Sequence, residues 1–271
     1  MKGLSRLFVL ACCFVALAPI AWHAMSSLKS ASELTLVPPT LLPQHPTSAN
    51  YEALFQRRHF IRYCINSFVI AAMTSLVCVA SASLAAHRLA RMRGPVRSAI
   101  RLGLLIVAFF PPIVFIFPVY EMIRAAGLVN HPWGLILPYS ALNLPFAIWL
   151  LTGSFEQIPY ELEEAAAIDG LNRFQTFRTV VVPLATPALI TAGILTFVFS
   201  WNEFMFALTF LNVESQKTVT LGVATLSGAF AEEIPYGQIA AGVIASSVPL
   251  ILLVVIFQRR IVAGLTAGAV K

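Results

Sequence analysis

Residues 161–170 place Glu161, Glu163, Glu164 and Asp169 around Ala165, Ala166 and Ala167 and close on Gly170. Val180-Val181-Val182-Pro183 follows. The chemistry this pattern offers is recognition. Carboxylates in the first turn of a helix sit favourably at its positive dipole end, and Pro159, at the start of the stretch, suits a first helical turn. Leu162, Ala165, Ala166 and Ile168 recur at helical spacing as a thin apolar face, and small alanines let another protein's surface approach closely. Gly170 tolerates the left-handed backbone that a sharp helix exit needs. Beyond it, Asn172 is placed to cap a second short helix carrying Phe174 and Phe177 that ends before Pro183. A helix lying on lipid would carry a lysine-rich polar face and large apolar anchors. This one is acidic and alanine-rich, so a protein groove is the partner its composition fits.

Other polar residues stand inside apolar runs. Glu203, in Trp201-Asn202-Glu203-Phe204, is costly in a membrane unless paired, protonated or wetted, so it must face a cavity or the bundle interior. Two readings stay open for it: lining a path for a polar solute together with Asn202, or clamping helices. Asn66 and Asn143 carry the same ambiguity, with packing slightly favoured. No span holds a metal-spaced His/Glu set, a Ser/His dyad or a paired-carboxylate site, so neither a catalytic nor a metal centre is expected. Cys12, Cys13, Cys64 and Cys78 lie in or beside apolar segments and read as small hydrophobes.

The elements that position these residues follow from composition. The chain of 271 residues is 58% hydrophobic and 11% charged, with a mean hydropathy of +0.82, which excludes a soluble domain. Six apolar segments, at 7–28, 60–86, 99–123, 133–155, 187–211 and 239–261, each approach or exceed the roughly 20 residues a helix needs to cross a bilayer. Backbone polar groups must be satisfied in lipid, so the expected fold is all-α: a polytopic membrane protein of six transmembrane helices forming one transmembrane domain over residues 1–271. The first segment, after Lys2 and Arg6, is expected to stay as an anchor and not to be a cleaved signal. Twelve of the 18 Lys and Arg residues fall on the side holding both termini, the loop with Arg88, Arg91, Arg93, Arg97 and Arg101, and the loop at 156–183. That side is therefore cytoplasmic. The arginines of the 88–101 group read mainly as determinants of this topology. The outer loops are different: 30–56 has Pro38, Pro39, Pro43 and Pro46, and 214–238 has the pair Glu232-Glu233. The net charge of +6 is spread over the ends of spans and forms no basic stripe, so nucleic acid is not an expected partner, whereas membrane lipid is.

The spacing Glu-Ala-Ala, three residues, Gly, nine residues, aliphatic-x-aliphatic-Pro, carried here by Glu164-Ala165-Ala166, Gly170 and Val180-x-Val182-Pro183, resembles the EAA loop of ATP-binding-cassette importer permeases. Asn66-Ser67, Gly127-Leu128, Leu144-Pro145-Phe146-Ala147-Ile148-Trp149, Trp201-Asn202-Glu203-Phe204 and the stretch from Gln258 to Lys271 extend the resemblance to the MalG-type carbohydrate branch over nearly the whole chain. The resemblance implies a cytoplasmic coupling helix that docks into an ATPase cleft. Glu164 would pair with a basic ATPase residue, and Asp169-Gly170 would form the bend. Ala165, Ala166, Leu171 and Phe174 would supply contact area; Leu171 stands where many relatives have alanine, which alters the fit modestly. It also implies a path lined by Asn66, Asn143, Trp201, Asn202 and Glu203, and a C-terminal tail able to reach the ATPase.

The implied partners are two ATP-binding-cassette subunits, a second, MalF-like permease and an extracytoplasmic sugar-binding protein or lipoprotein. ATP and magnesium would belong to the ATPase subunits, because this chain has no Gly-x-x-x-x-Gly-Lys-[Ser/Thr] and is not expected to be an enzyme. The expected location is a bacterial or archaeal cytoplasmic membrane, and the expected cargo a di- or oligosaccharide such as trehalose or maltose. Glycerol-phosphate and amino-sugar import share much of this pattern. A stand-alone secondary transporter is the rival from another class, but no pair of interrupted helices is legible.

Overall fold

The structure, a computed structural model, describes residues 2–57, 59–228 and 234–266. Among these every regular element is helical: α1 (Lys2–Ser27), α2 (Ala31–Leu34), α3 (Ala49–Arg57), α4 (Phe60–Ala90), α5 (Pro95–Phe109), α6 (Ile116–Ala125), α7 (Trp133–Phe155), α8 (Glu161–Ile168), α9 (Arg173–Thr176), α10 (Val182–Asn202), α11 (Met205–Phe210), α12 (Val219–Ala224) and α13 (Tyr236–Thr266), with short 3₁₀ turns between some of them. The Glu232-Glu233 pair and the extreme C-terminal tail lie outside the described residues.

Five stretches are long and apolar enough to cross a membrane: Arg6–Ser27, Phe60–Ala90, Trp133–Phe155, Arg173–Asn202 and Tyr236–Gln258. The sixth is a broken one, Pro95–Phe109 plus Pro112–Ala125, bent by 86°. The reading of 99–123 as one straight span passed over Pro111-Pro112. Two successive prolines remove two donors and push the residue before each away from helical backbone; Phe110 and Pro111 are accordingly extended (ψ 134° and 117°).

The fifth span also differs from expectation, beginning at Arg173 and not at Pro187. In the sequence Pro183 reads as a stop. A π-turn over Phe177–Val181 precedes it, and Val182 N–H reaches back five residues to the Phe177 carbonyl. That wider turn, with Pro183 early in the next regular segment where its missing donor costs least, lets the helix run on through it.

The chain divides into two compact units, Met1–Asn66 with Lys217–Leu252, and Ser67–Gln216 with Leu253–Lys271. In the first, Leu54, Phe60, Tyr63, Val219, Leu221, Ala240 and Ala241 are buried. Gly222 lies so close to Tyr63 that a Cβ there would meet the ring at 2.3 Å. The proline-rich loop is an ordered structure. Lys29 Nζ donates to the Thr40 carbonyl, Glu33 Oε1 accepts from Thr40 Oγ1 (2.8 Å) and Gln44 N–H (3.0 Å), and Asn50 Nδ2 donates to the Ser27 and Lys29 carbonyls. The Gln44 amide is the main reason the Glu33 carboxyl is held below its ordinary range, with the Thr40 hydroxyl and Lys29 adding to it.

The second unit is built on α7, which packs against α5 and α10. Cys78, Ala82, Ala86, Leu151, Phe155, Phe177, Val181, Ala185, Ala188 and Ala192 form its core. Lipid offers no hydrophobic gain for helix association, so close packing of small residues must supply it. The alanine rows on α4 and α10 serve this, and Ser75 Oγ donates to the Gly193 carbonyl at 2.8 Å where the two helices approach. Cys78 is buried as expected, whereas Cys12 and Cys13 project outward from α1.

Candidate coupling loop and central cavity

The acidic loop is held in shape by its own backbone. α8 opens after Tyr160 with Glu161, Glu163 and Glu164 in its first turn. At its end Gly170 N–H bonds to the Ala167 carbonyl and Leu171 N–H to the Ala166 carbonyl, with Gly170 at φ +88°. This is a Schellman exit, which requires the left-handed glycine. Asn172 follows at once as the cap of α9. Its Oδ1 accepts from Phe174 and Gln175 N–H, and Gln175 Oε1 accepts from Asn172 N–H, a reciprocal capping box. Three residues, Gly170, Leu171 and Asn172, therefore turn the chain from α8 into α9, which continues through the π-turn into α10.

Glu164, Ala165, Ile168, Asp169 and Gly170 are exposed, as are Leu162 and Phe174. Ala166 is buried and Leu171 half-buried. The face expected to meet a partner is thus open apart from Ala166, which packs inward. Glu163 behaves differently from its neighbours: its side chain is only 13% exposed and its two oxygens bond to His87 of α4 and to Arg91, the residue just past the end of α4. Sequence reasoning gave Arg91 a topology role and passed over His87. The legible signal is their spacing, since residues four apart share one helix face. Arg97 and Arg101 repeat it on α5, both bonding to Glu156 Oε1. A cavity of about 520 Å³ lies between α4 and the loop, lined by His87, Arg88, Arg91, Tyr160, Glu163, Glu164 and Phe174 among others.

A second cavity of about 700 Å³, open on one side, is lined by residues of α5, α7, α10 and α11. Phe109, Tyr139, Phe146, Trp149, Phe199 and Phe206 make its wall largely aromatic, and Asn143, Ser200 and Glu203 are its polar points. Phe146 and Trp149 lie nearly parallel, 25° apart, with centroids at 6.4 Å. Two residues expected on the path, Asn143 and Glu203, line this cavity. The other three sit differently. Trp201 is buried against Phe197 at 5.8 Å, Asn202 turns its amide back to the Val198 carbonyl, and Asn66, in the first unit, donates to the Lys217 carbonyl.

Glu203 marks a break in the span. Its backbone is extended between α10 and α11, and its carboxylate closes the gap. Oε1 accepts from Phe206 N–H at 2.9 Å, Oε2 from Ala207 N–H at 3.3 Å, and the Tyr139 hydroxyl donates to Oε2. Asn143 Nδ2 donates to the Tyr139 carbonyl on its own helix. Interrupted helices are therefore present, at 109–112, where Pro111-Pro112 marks the break, and at 203–204, where no glycine or proline does; both flank the cavity. Among the described residues no group of three or more His, Cys, Asp or Glu could hold a metal ion.

Residues 78–266 match the family model described as "Binding-protein-dependent transport system inner membrane component". The trehalose transport system permease protein SugB of Mycobacterium tuberculosis is 41% identical over 94% of this chain and 93% of its own length. The trehalose/maltose transport system permease protein MalG of Thermococcus litoralis is 36% identical over 95% and 92%. Among solved structures, a bacterial ABC transporter involved in import of the acidic polysaccharide alginate contains a chain with TM-score 0.81 at 22% identity, covering 95% of each chain, a likeness of fold.

Proposed function

The chain belongs to the family of binding-protein-dependent transport system inner membrane components, and on that premise we propose that it is one of two permease subunits of an ATP-driven importer of di- or oligosaccharides. The observation that carries the proposal is α8: an acidic, alanine-bearing helix with an exposed outer face, set between two spans and locked by a Schellman exit and a capping box. Its partners are two ATPase subunits, a second, MalF-like permease and an extracytoplasmic sugar-binding protein. ATP and its magnesium belong to the ATPase subunits. Both termini and α8 face the cytoplasm, on the side carrying most of the Lys and Arg residues.

Closure of the ATPase dimer displaces α8 as a rigid body. The loop passes that displacement into α10 through the continuous helix from Arg173 and into α7 through residues 156–160. Spans with two packed arrangements then open the cavity to alternate sides. A saccharide has apolar ring faces and a polar rim, and the aromatic cavity wall with Asn143 and Ser200 offers surfaces for both. The relatives named for trehalose and trehalose/maltose transport support a disaccharide as cargo.

Glu164→Lys tests the docking role. In cells holding the whole transporter, ATP-dependent uptake should fall by at least roughly 10-fold, the scale of one lost charge-assisted contact, while the chain still inserts. Unchanged uptake removes Glu164 from the interface.

A further inference from the structure

α8 is joined covalently to α7 and α10. Its side-chain connection to the C-terminal end of α4, through His87 and Arg91, is separate and reaches 76 and 72 residues back along the chain. Arg91 Nε donates to Glu163 Oε1 at 2.8 Å, and Arg91 Nη2 donates to the Ile158 carbonyl at 3.0 Å, 67 residues away in sequence. The same guanidinium lies 5.6 Å from the centre of the Tyr160 ring. His87 Nε2 stands 3.1 Å from Glu163 Oε2, and its imidazole packs against Phe155 and Phe177 at 5.9 and 5.2 Å. Arg91 thus holds the entry of the loop at Ile158 and Tyr160 and the first turn of α8 at Glu163. His87 touches the last residue of α7 and the π-turn ahead of α10.

The burial of these groups sets them apart from the docking face. The side chains of Glu163, Arg91 and His87 are 13%, 16% and 21% exposed, whereas Glu164, beside Glu163, is exposed. Partly desolvated charges with both carboxylate oxygens engaged are held far more firmly than surface pairs. Such a joint carries displacement where a solvated pair would slip.

We propose that Glu163, Arg91 and His87 form a clasp through which movement of α8 reaches α4, making them positioning residues for transport. This rests on the coupling role of α8. α4 contributes Cys78, Ala82 and Ala86 to the core shared with α7 and α10, so the clasp makes α4 move with those spans. Without it, α8 would drive α7 and α10 while α4 lagged, and ATP would be spent on an incomplete opening.

The test uses the complete transporter in lipid vesicles, with its ATPase subunits, second permease and loaded binding protein, and reads sugar taken up per ATP hydrolysed. Glu163→Gln keeps the shape and removes the charge. Arg91→Met keeps the aliphatic stem. In both, the subunits should still co-purify and hydrolyse ATP, while uptake per ATP falls by roughly 10-fold, within the usual range of coupling between sites. The exchange Glu163→Arg with Arg91→Glu should recover part of the loss, which a purely local packing role does not predict. If a single variant does not assemble, His87→Gln, which weakens one arm only, takes its place with the same expected direction. Normal uptake per ATP in the assembled variants overturns the clasp. That outcome is separable from failure of the coupling reading, in which Glu164→Lys would also leave uptake untouched.

Discussion

Glu203 stands where two roles compete, and its geometry predicts which one removal exposes. In Glu203→Ala the first turn of α11 loses its acceptors for Phe206 and Ala207 N–H, a capping loss of about 1 kcal/mol. The Tyr139 hydroxyl, on a residue 1% exposed, loses its acceptor as well, and an orphaned buried donor costs about 1–3 kcal/mol. The two together give about 2–4 kcal/mol, or a fall on the order of 10 °C in unfolding temperature for a chain of this size. Tyr139→Phe should cost about 1 kcal/mol, since Glu203 keeps its backbone donors. The double variant should be less destabilised than the sum of the singles, because no hydroxyl is then left orphaned. Unfolding followed by tryptophan fluorescence in detergent reads all three. A Glu203→Ala protein with unchanged unfolding temperature, and with weakened apparent affinity for sugar in the assembled transporter, would refute the capping role and make Glu203 a substrate contact.

Other expectations follow from single positions. A Cβ at Gly170 would meet nothing within 4 Å, so Gly170→Ala should cost only the left-handed backbone, about 1–2 kcal/mol, and Gly170→Val more; uptake in cells should fall in that order, and an equal, undiminished rate for both would place the bend elsewhere. Gly222→Ala, by contrast, drives a Cβ to 2.3 Å from the Tyr63 ring and should lower the yield of folded protein on a sizing column, whereas a normal yield would show that Tyr63 can yield. The Glu33 carboxyl is held below its ordinary value near 4.5, so its contribution to the outer loop is present above that value and is lost as pH falls through the lower folded one. Protease cleavage of the 36–44 loop should therefore rise at acid pH in the parent protein and already be raised at neutral pH in Glu33→Gln; equal cleavage of the two at neutral pH would contradict it.

Much of this was legible because it obeys local rules. Pro159, Gly170 and Asn172 occupy positions whose backbone requirements are set within a few residues, so the shape of the loop around α8 could be drawn from sequence. The apolar runs marked the spans for the same reason. What escaped notice depends on distance or on competition between rules. Pro111-Pro112 carried its break openly, but the continuous apolar run outweighed it. Pro183 reads as a stop because nothing in the sequence announces the π-turn that accommodates it. The break at Glu203 has no glycine or proline beside it and exists because a carboxylate caps the following helix with help from Tyr139, 64 residues earlier. The clasp between Glu163 and Arg91 spans 72 residues, and only the four-residue spacing of His87 and Arg91 hinted at it.

The most direct test of the central claim is gentle-detergent purification of the tagged chain from its native host, followed by vesicle uptake with what comes with it. The account predicts recovery of an ATPase, a second permease and a sugar-binding protein, and sugar uptake that requires ATP. A chain that purifies alone and transports in ATP-free vesicles driven by an ion gradient would contradict it.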